Sequence, residues 1–289
     1  MRGQLNDALA VHGLTPVAPP VSVSGGDICD AWRLETDSGR VFLKTLGATH
    51  ASVLESEAAG LKAIAQTETI RVPHVLGQGA TSDTAWLALE WLDLGSGGRN
   101  AEHALGTQLA AMHRHTSPKH GWDGDNWIGR TSQLNDWCAD WTTFFGERRL
   151  RHQLELACRA GFARALRAPG DALLARLPDL LAGHTPEPSL LHGDLWGGNW
   201  GVAAGKPVIF DPAVYYGDRE ADLAMTRLFG GFGSAFYEAY DAAWPLPPGA
   251  GARDALYRLY HVLNHANLFG GGYVTQAAHL MEALLIEMT

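Results

Sequence analysis

The first ninety residues alternate between short apolar runs and turns, a pattern typical of antiparallel strands. Apolar residues recur over 21–23, 31–34 and 41–44, and the turn at 37–39 separates the last two runs. A further apolar run, over 85–92, follows later in the chain. The pattern predicts a small, mostly β unit whose strands are joined by tight turns.

One helix is predicted within this β pattern, because apolar residues recur there at helical spacing. This apolar stripe consists of Leu54, Leu61 and Ile64. Ser52 and Glu55 have the spacing of a capping box, which predicts where the helix starts. Glu57 falls within the stripe, where a carboxylate is costly unless it is paired, and Lys44 is the expected partner. The alternative is that Glu57 lies at the edge of the stripe and reaches water.

After residue 92 the apolar positions recur mainly at helical spacing. A glycine-rich connector over 93–98 separates the two patterns. The predicted helices span 101–115, 133–167, 171–182 and 256–269. We therefore predict an α+β fold with an N-terminal nucleotide-covering lobe over 1–92 and a catalytic and substrate-binding lobe over 93–289. The first is small and antiparallel β with one helix, and the second is larger and mainly helical.

A polar loop in the second lobe carries a chemically specific set of side chains. Asp194, within the run His192-Gly193-Asp194, precedes Asn199 by four intervening residues, and Asp211 follows a second apolar run. Kinase-type phosphoryl transfer uses one aspartate to accept the proton of the attacking hydroxyl, and an asparagine and a second aspartate to hold Mg²⁺. We therefore predict that Asp194 is catalytic and that Asn199 and Asp211 ligate Mg²⁺ on the phosphates of ATP.

The N-terminal lobe contains candidate ATP-binding residues. Gly25 and Gly26 form the turn between the first two strands, where glycines let backbone N–H groups approach a phosphate, and an ordinary hairpin turn is the alternative. Lys44, held by Glu57, would contact the phosphates. The backbone expected at the adenine edge belongs to Glu90, Trp91 and Leu92.

Three polar positions after the loop leave alternatives open. Asp218 is interpreted as a helix N-cap. Asp222, one turn further, either braces the catalytic loop or lies in solvent at the first turn of the helix. His261 and His265 share a helix face, but no third ligand is evident, so a polar pocket wall is favoured over a zinc site.

Charge and composition narrow the class of protein. The chain has 289 residues, with 22 lysines and arginines against 31 aspartates and glutamates, a net charge of −9 that does not favour nucleic acid as a partner. No apolar run approaches the ~18 residues of a membrane helix, and no signal peptide is evident. The three cysteines, Cys29, Cys138 and Cys158, are widely spaced, which favours a reduced, cytoplasmic setting.

Several segments extend the similarity beyond the general kinase pattern. They are the runs HGDLWGGN (192–199), IFDP (209–212), YGDREADLAM (216–225), DNWIG (125–129) and FGGF (229–232), with Phe144-Phe145 to Arg149-Leu150 and Leu263-Asn264-His265 to Phe269-Gly270. Together they resemble the fructosamine kinase, or ketosamine kinase, family over nearly the whole chain. The wider group resembles aminoglycoside phosphotransferases, and it replaces the D-F-G motif of protein kinases with D-P, as in Asp211-Pro212.

The resemblance implies a two-lobed, protein-kinase-like fold that uses ATP and Mg²⁺. It also implies phosphorylation of a sugar hydroxyl on ketosamines, either small molecules or glycated protein lysines, a step that leads to deglycation of the amine. Trp196 is the candidate for packing against the sugar, with a structural loop anchor as its alternative. Asp218, His265 and Asn126 are weaker candidates for the acceptor pocket.

Other classes of protein remain as alternatives. A kinase of this type could act on an aminoglycoside, choline or methylthioribose, although the segments outside the catalytic loop argue against this. An ATP-binding pseudokinase regulator is a non-enzymatic alternative, although every catalytic position is occupied. A metal hydrolase would need further histidine and aspartate ligands near Asp194, and none is evident.

Overall fold

The computed structural model describes residues 2–23 and 29–286, so the predicted turn at Gly25 and Gly26 lies outside the described residues. The N-terminal part forms a five-stranded antiparallel sheet in the order β1-β2-β3-β5-β4. Its strands are β1 (Val21–Ser22), β2 (Asp30–Thr36), β3 (Gly39–Gly47), β4 (Val75–Ala80) and β5 (Thr84–Glu90). The predicted antiparallel β pattern is confirmed.

The sheet is covered on both faces, which explains why the interior of β5 is apolar at every position. Trp86 and Ala88 pack in one cluster with Leu9 and Leu14, at and just after the helix α1 (Arg2–Val11). Leu87 and its neighbours at alternate positions pack in another cluster that contains the predicted stripe of the helix α2 (Ala51–Gln66). Alternation along a strand therefore sends successive apolar side chains to two different cores.

The capping box predicted for α2 is wrong. A 3₁₀ turn over Ala48–His50 leads directly into the helix, which starts at Ala51, so Ser52 lies inside the first turn. No side chain caps the helix. The preceding turn supplies the backbone entry, so the helix begins before the position that the box requires.

The second part is mainly helical, and none of the helices in 2–23 and 29–286 is long and apolar enough to cross a membrane. Its α-helices are α3 (Arg99–His113), α4 (Trp141–Phe144), α5 (His152–Ala157), α6 (Ala163–Leu180), α7 (Glu220–Leu228), α8 (Ser234–Ala243), α9 (Ala250–Phe269) and α10 (Gly272–Ile286). Its strands form the antiparallel pairs β6 (Asn126–Ile128) with β7 (Thr131–Gln133), β8 (Ser189–Leu191) with β11 (Tyr215–Gly217), and β9 (Trp200–Ala203) with β10 (Lys206–Ile209). The α+β class is confirmed.

Several predicted helix boundaries are wrong, among them the start of α9, which lies at Ala250 rather than at residue 256. The helix expected from residue 133 begins at Trp141, because Gln133 belongs to β7. The break expected over 168–170 lies instead at Gly161, whose φ of 98° interrupts the segment before α6. α6 continues through Pro169. Next to it, Gly170 lets the helix approach α5 closely, since a Cβ at Gly170 would lie 2.7 Å from a methyl carbon of Leu154.

The two parts share an apolar core, which sets how they face each other. Leu54 and Ile64 of α2 belong to the same buried cluster as Leu105 of α3, Leu190 of β8 and Ile209 of β10. The strands that precede the polar loop residues are therefore packed against the helix that carries Glu57. The division at residues 92 and 93 stays a prediction.

Candidate active site

A cleft of about 1120 Å³ lies between the sheet and the helical part. Residues from both parts line it. The predicted site residues that it contains are Lys44, Glu57, Glu90, Trp91, Leu92, Asp194, Trp196, Asn199, Asp211 and His265. Positions far apart in the chain are thus brought to one cavity, whereas Asn126 and Asp218 are not among its lining residues.

Short strands hold the polar loop over 192–199. The loop leaves β8, which is paired with β11, and enters β9, which is paired with β10. The N–H of Ala213 donates to the carbonyl of His192 (2.8 Å), and the N–H of Phe210 donates to the carbonyl of Asn199 (3.0 Å). Each end of the loop is therefore hydrogen-bonded to the segment that carries Asp211.

Asp194 and Asn199 contact each other across the loop. The Nδ2 of Asn199 donates to the carbonyl of Asp194 (2.8 Å) and to its Oδ2 (3.3 Å), so the Oδ1 of Asn199 is the atom that could act as a metal ligand. Burial, followed by the charges of Asp211 and Asp222, raises the pKa of Asp194 to about 7. A carboxyl group with that proton affinity is suited to accept a proton from a hydroxyl.

Lys44 joins the sheet to the loop that follows β10. Its Nζ lies 2.8 Å from Oε1 of Glu57 and 2.6 Å from Oδ1 of Asp211. Burial lowers the pKa of Lys44, but the two carboxylates outweigh it and raise the pKa above its ordinary value. The predicted pairing of Lys44 with Glu57 is confirmed, and Lys44 stays charged in the cleft.

The backbone at Asp211 turns sharply, with a φ of 59°. Aspartate is among the few non-glycine residues that adopt this left-handed conformation readily. The turn brings the carboxylate to Lys44 while 37% of the side chain remains exposed in the cleft. Asp211 and the Oδ1 of Asn199 are hard oxygen donors, the kind that Mg²⁺ prefers, so the residues present fit this ion.

Asp222 braces the start of the polar loop, which decides between the two alternatives left open above. Its carboxylate accepts hydrogen bonds from the N–H groups of His192 (2.7 Å) and Gly193 (2.8 Å) and from Nε2 of His113 (3.0 Å). Burial alone would raise its pKa, but these hydrogen bonds hold it below its ordinary value. Gly193 is required here, since its φ is 82° and a Cβ would lie 2.0 Å from the carbonyl oxygen of Ala213.

His192 links the loop to the residue before Asp211. Its Nε2 donates to the carbonyl of Phe210 (3.0 Å), and its Nδ1 accepts from the N–H of Asp194 (3.3 Å). Burial lowers the pKa of His192, which agrees with the neutral form that this pair of bonds requires. The histidine is therefore a structural connector between the predicted catalytic and metal-binding positions.

Asn126 and Asp218 were expected in the acceptor pocket, and the structure places both in buried networks instead. Asn126 donates to the carbonyl of Val214 (2.7 Å) and accepts from Gln133 (2.8 Å). Oδ2 of Asp218 accepts from His184 (2.6 Å) and the Tyr257 hydroxyl. Their polar groups are satisfied by protein partners in the core, so neither side chain reaches the cleft.

The N-cap interpretation of Asp218 is only partly correct. α7 begins at Glu220, and the residue at its N-cap position is Arg219. Oδ1 of Asp218 nevertheless accepts from the N–H of Glu220 (3.0 Å), two residues on, which is a bond that an N-cap side chain makes. Its other oxygen accepts from His184 and Tyr257, because a buried carboxylate needs several donors.

Trp196 and His265 do line the cleft. Trp196 is 40% exposed, and its ring lies 6.4 Å from that of Phe229 at an angle of 76°. Nδ1 of His265 donates to the carbonyl of His261 (2.8 Å), and burial lowers the pKa of His265. In the described part of the chain, the group of potential metal ligands found lies at His184, Asp218 and Glu220, and His261 and His265 do not belong to it.

Sequence reasoning missed several residues around this site. His113, the last residue of α3, supports Asp222 and contacts Tyr240. Phe229 and Phe269 lay in the segments that carry the family resemblance, without an assigned role. Only the tertiary structure brings them into the cleft, together with Tyr273.

A β-rich part packs on a mainly helical part, and a charged lysine of the first faces the polar loop of the second. This arrangement is that of a kinase-like phosphotransferase. The model of the fructosamine kinase family matches residues 11–287, and the chain belongs to this family. The resemblance in the catalytic loop and in the flanking segments is thereby confirmed.

Named relatives agree with this assignment. The chain is 45% identical over 267 residues to a protein of Synechocystis named a probable ketoamine kinase, covering 91% of this chain and 89% of that protein. It is 43% identical to the chloroplastic protein-ribulosamine 3-kinase of Arabidopsis thaliana, covering 91% and 82%. A crystal structure from Haemophilus somnus, described as a fructosamine-3-kinase, superposes with a TM-score of 0.92 at 30% identity and covers 99% of this chain and 98% of its own.

Proposed function

We propose that this protein is an ATP-dependent kinase that phosphorylates a sugar hydroxyl of ketosamines, the adducts of a ketose-like sugar with an amine. The observation that carries this proposal is the constellation around Lys44, which pairs with Glu57 and Asp211. Asp194 and Asn199 line the same cavity. Relatives that share more than 40% identity over most of the chain are named for ketoamine and ribulosamine substrates.

ATP would bind between the two parts. The backbone of Glu90, Trp91 and Leu92, at the end of β5, would meet the adenine edge, and Lys44 would bind the phosphates. Arg71 donates to Glu90 (2.7 Å) and pairs with its carboxylate. Mg²⁺, held by Asp211 and Asn199, would neutralise negative charge on the phosphates.

Asp194 would orient the acceptor hydroxyl and take its proton. The hydroxyl oxygen then forms a bond to the γ-phosphorus, the bond from that phosphorus to the bridging oxygen breaks, and ADP leaves with the electron pair. Asn199 positions the Asp194 carboxylate by its hydrogen bond, and Asp222 holds the loop backbone. The phosphorylated ketosamine is less stable than the substrate and releases its amine, which is the deglycation step.

The test is ATP consumption by the purified protein with Mg²⁺ and a panel of acceptors. The panel contains ribuloselysine, fructoselysine, a glycated protein, kanamycin and choline. We expect turnover of a ketosamine and its loss in Asp194→Asn. The panel also ranks the sugars and separates free from protein-bound adducts.

Two results would contradict the proposal. Turnover of kanamycin or choline alone would support kinase activity but exclude ketosamines as the substrates. ATP binding without turnover of any acceptor would favour a pseudokinase regulator, even though Asp194, Asn199 and Asp211 are all present.

A further inference from the structure

Four aromatic side chains form a continuous wall at the acceptor end of the cleft. We define the aromatic wall as Phe229, His265, Phe269 and Tyr273, all of which line the cavity. The His265 ring lies 4.7 Å from Phe229, 5.6 Å from Phe269 and 5.1 Å from Tyr273, measured between centroids. The wall meets the catalytic loop at Trp196, whose ring is set edge-on to Phe229.

The wall depends on a reversal of the chain between two helices. Phe269 is the last residue of α9, and α10 begins at Gly272. Gly270 and Gly271 between them have φ values of 62° and 57°, a conformation that glycine adopts without steric cost. The reversal returns the chain so that Tyr273 reaches the ring of His265, one turn back along α9.

The wall leaves large apolar surfaces open to the cavity. Phe229 is 38% exposed and Phe269 is 59% exposed. Exposed aromatic side chains that line a cleft are typical of ligand contacts. Burial lowers the pKa of His265, which favours an uncharged imidazole, so the four side chains of the wall itself are aromatic and uncharged. The cationic side chains that line the described cavity are Lys44, which is paired with carboxylates, and Arg130, which lies outside the wall.

The carboxylates that line the cavity already have basic partners or a proposed role in catalysis. Among the described lining residues these are Glu57, Glu90, Asp194 and Asp211. Glu57 and Asp211 pair with Lys44, and Glu90 pairs with Arg71. A cationic group on the acceptor, away from Asp194, would therefore find ring faces rather than a carboxylate.

We propose that the aromatic wall is the subsite for the protonated amine of the acceptor and for the carbon chain attached to it. This proposal rests on the proposed function, because a ketosamine carries a secondary amine next to its sugar. Such an amine is protonated near neutral pH, and aromatic faces attract a cation within about 6 Å of the ring centroid. The position of Trp196 between Asp194 and the wall allows the sugar to lie at the catalytic loop while the amine extends onto Phe229.

The experiment compares two acceptors in the double variant Phe229→Leu with Phe269→Leu, which keeps apolar bulk but removes two ring faces. One acceptor is the ketosamine that the wild-type protein uses best in the panel above. The other is the same compound with its nitrogen acylated, which removes the positive charge. We expect kcat/KM for the charged acceptor to fall about five- to thirtyfold, mainly through KM. We expect a change of less than about twofold for the acylated acceptor and for the KM of ATP.

Two variants serve as controls. Trp137→Leu removes a ring that is also 40% exposed but does not line the cavity, and it should leave both acceptors unaffected. Phe229→Tyr keeps a ring face and should retain the preference for the charged acceptor. An unfolded or distorted double variant would instead show a changed KM for ATP or a lowered Tm, and in that case each single Leu variant gives the same comparison.

The outcomes separate this proposal from the proposed function. Equal losses for the charged and acylated acceptors would assign the wall to sugar contact or to structure and would overturn the proposal. An unchanged kcat/KM for the charged acceptor in the double variant would overturn it as well, while turnover by the wild-type protein would still support the proposed kinase activity. A wild-type protein that phosphorylates no ketosamine would overturn both.

Discussion

The two ends of the cleft are built in different ways. At the nucleotide end, Lys44, Glu57 and Asp211 form a charged cluster in which the partners lie within 2.8 Å of the ammonium group. At the acceptor end, the aromatic wall presents rings with few polar atoms, of which Phe229 and Phe269 are more than a third exposed. Charge and short hydrogen bonds fix the first end, whereas the second is shaped by ring packing.

This difference explains why the sequence predicted one end better than the other. The chemistry of phosphoryl transfer demands particular residue types, and three of them lie within eighteen residues on short strands and their loops. The acceptor end demands only shape and apolar surface, which many residue types supply. The following predictions test this division in order of decreasing effect on activity.

The largest effect is expected at Asp194, the proposed catalytic carboxylate. Asp194→Asn removes the proton acceptor but keeps the size and the hydrogen-bonding capacity of the side chain, so turnover should fall about 10²–10⁴-fold. ATP binding, measured by calorimetry, should be unchanged, because Lys44 and the backbone over 90–92 are untouched. Loss of ATP affinity along with turnover would show that Asp194 belongs to the nucleotide end.

The next effect concerns the metal. Asp211→Asn removes one charged oxygen ligand, so turnover should fall on the order of a hundredfold. The Mg²⁺ concentration that gives the half-maximal rate should rise. The measurement is the rate as a function of Mg²⁺ at saturating ATP. An unchanged Mg²⁺ dependence would contradict the assignment of Asp211, and chelation of Mg²⁺ in the wild-type protein is the matched control.

A smaller effect is expected at the carboxylate that holds the lysine. Glu57→Gln removes one of the two charges at Lys44, which remains buried and paired with Asp211. A weakened charge-assisted hydrogen bond of about 1.4 kcal/mol raises the KM for ATP about tenfold and leaves the KM for the acceptor alone. Glu55→Gln, on the same helix and outside the predicted stripe, is the control. A rise in the KM for the acceptor would contradict the assignment of Glu57 to the nucleotide end alone.

Trp196 lies where the two ends meet. Trp196→Leu should raise the KM for the acceptor about fivefold through loss of ring contact with the sugar, and the KM for ATP should not change. If the ring is only a loop anchor, kcat and Tm fall instead and the KM for the acceptor stays constant. The two results therefore separate the alternatives that the sequence left open.

The smallest effect on activity is expected at Asp218, which the structure removes from the acceptor pocket. Asp218→Asn weakens its bonds to His184 and Tyr257, so the free energy of unfolding should fall by about 1–3 kcal/mol. The KM values for ATP and acceptor should both remain within about twofold of wild type. A selective increase in the KM for the acceptor would restore Asp218 to the substrate site.

Local pattern predicted much of the fold. The antiparallel strands, the stripe of α2 and the helix that became α9 all have periodic apolar positions, and the structure contains each of them. Helix ends were predicted less well. Ser52 has the residue type of a cap, but a 3₁₀ turn precedes it, and the interruption at Gly161 follows from backbone conformation rather than from apolar spacing.

Buried polar residues show most clearly where prediction from the sequence fails. Asp218 and Asn126 have the same side-chain chemistry as exposed pocket residues, so their type alone does not reveal whether core partners satisfy them. His113 and Asp222 present the converse case, in which ordinary helix-terminal residues join to brace the catalytic loop. Only their three-dimensional partners distinguish these roles.

The sequence by itself determined the class of chemistry, because Asp194, Asn199 and Asp211 are set by spacing along a short stretch and the lysine–glutamate pair is set by the cost of a buried charge. Tertiary structure decided the acceptor end of the cleft. Phe229 follows the end of α7, His265 lies in α9 and Tyr273 lies in α10, so their contacts depend on how these helices pack and on the glycine reversal after Phe269. Spacing along the chain cannot encode such contacts, since ring packing between separate helices is fixed only when the whole core is formed.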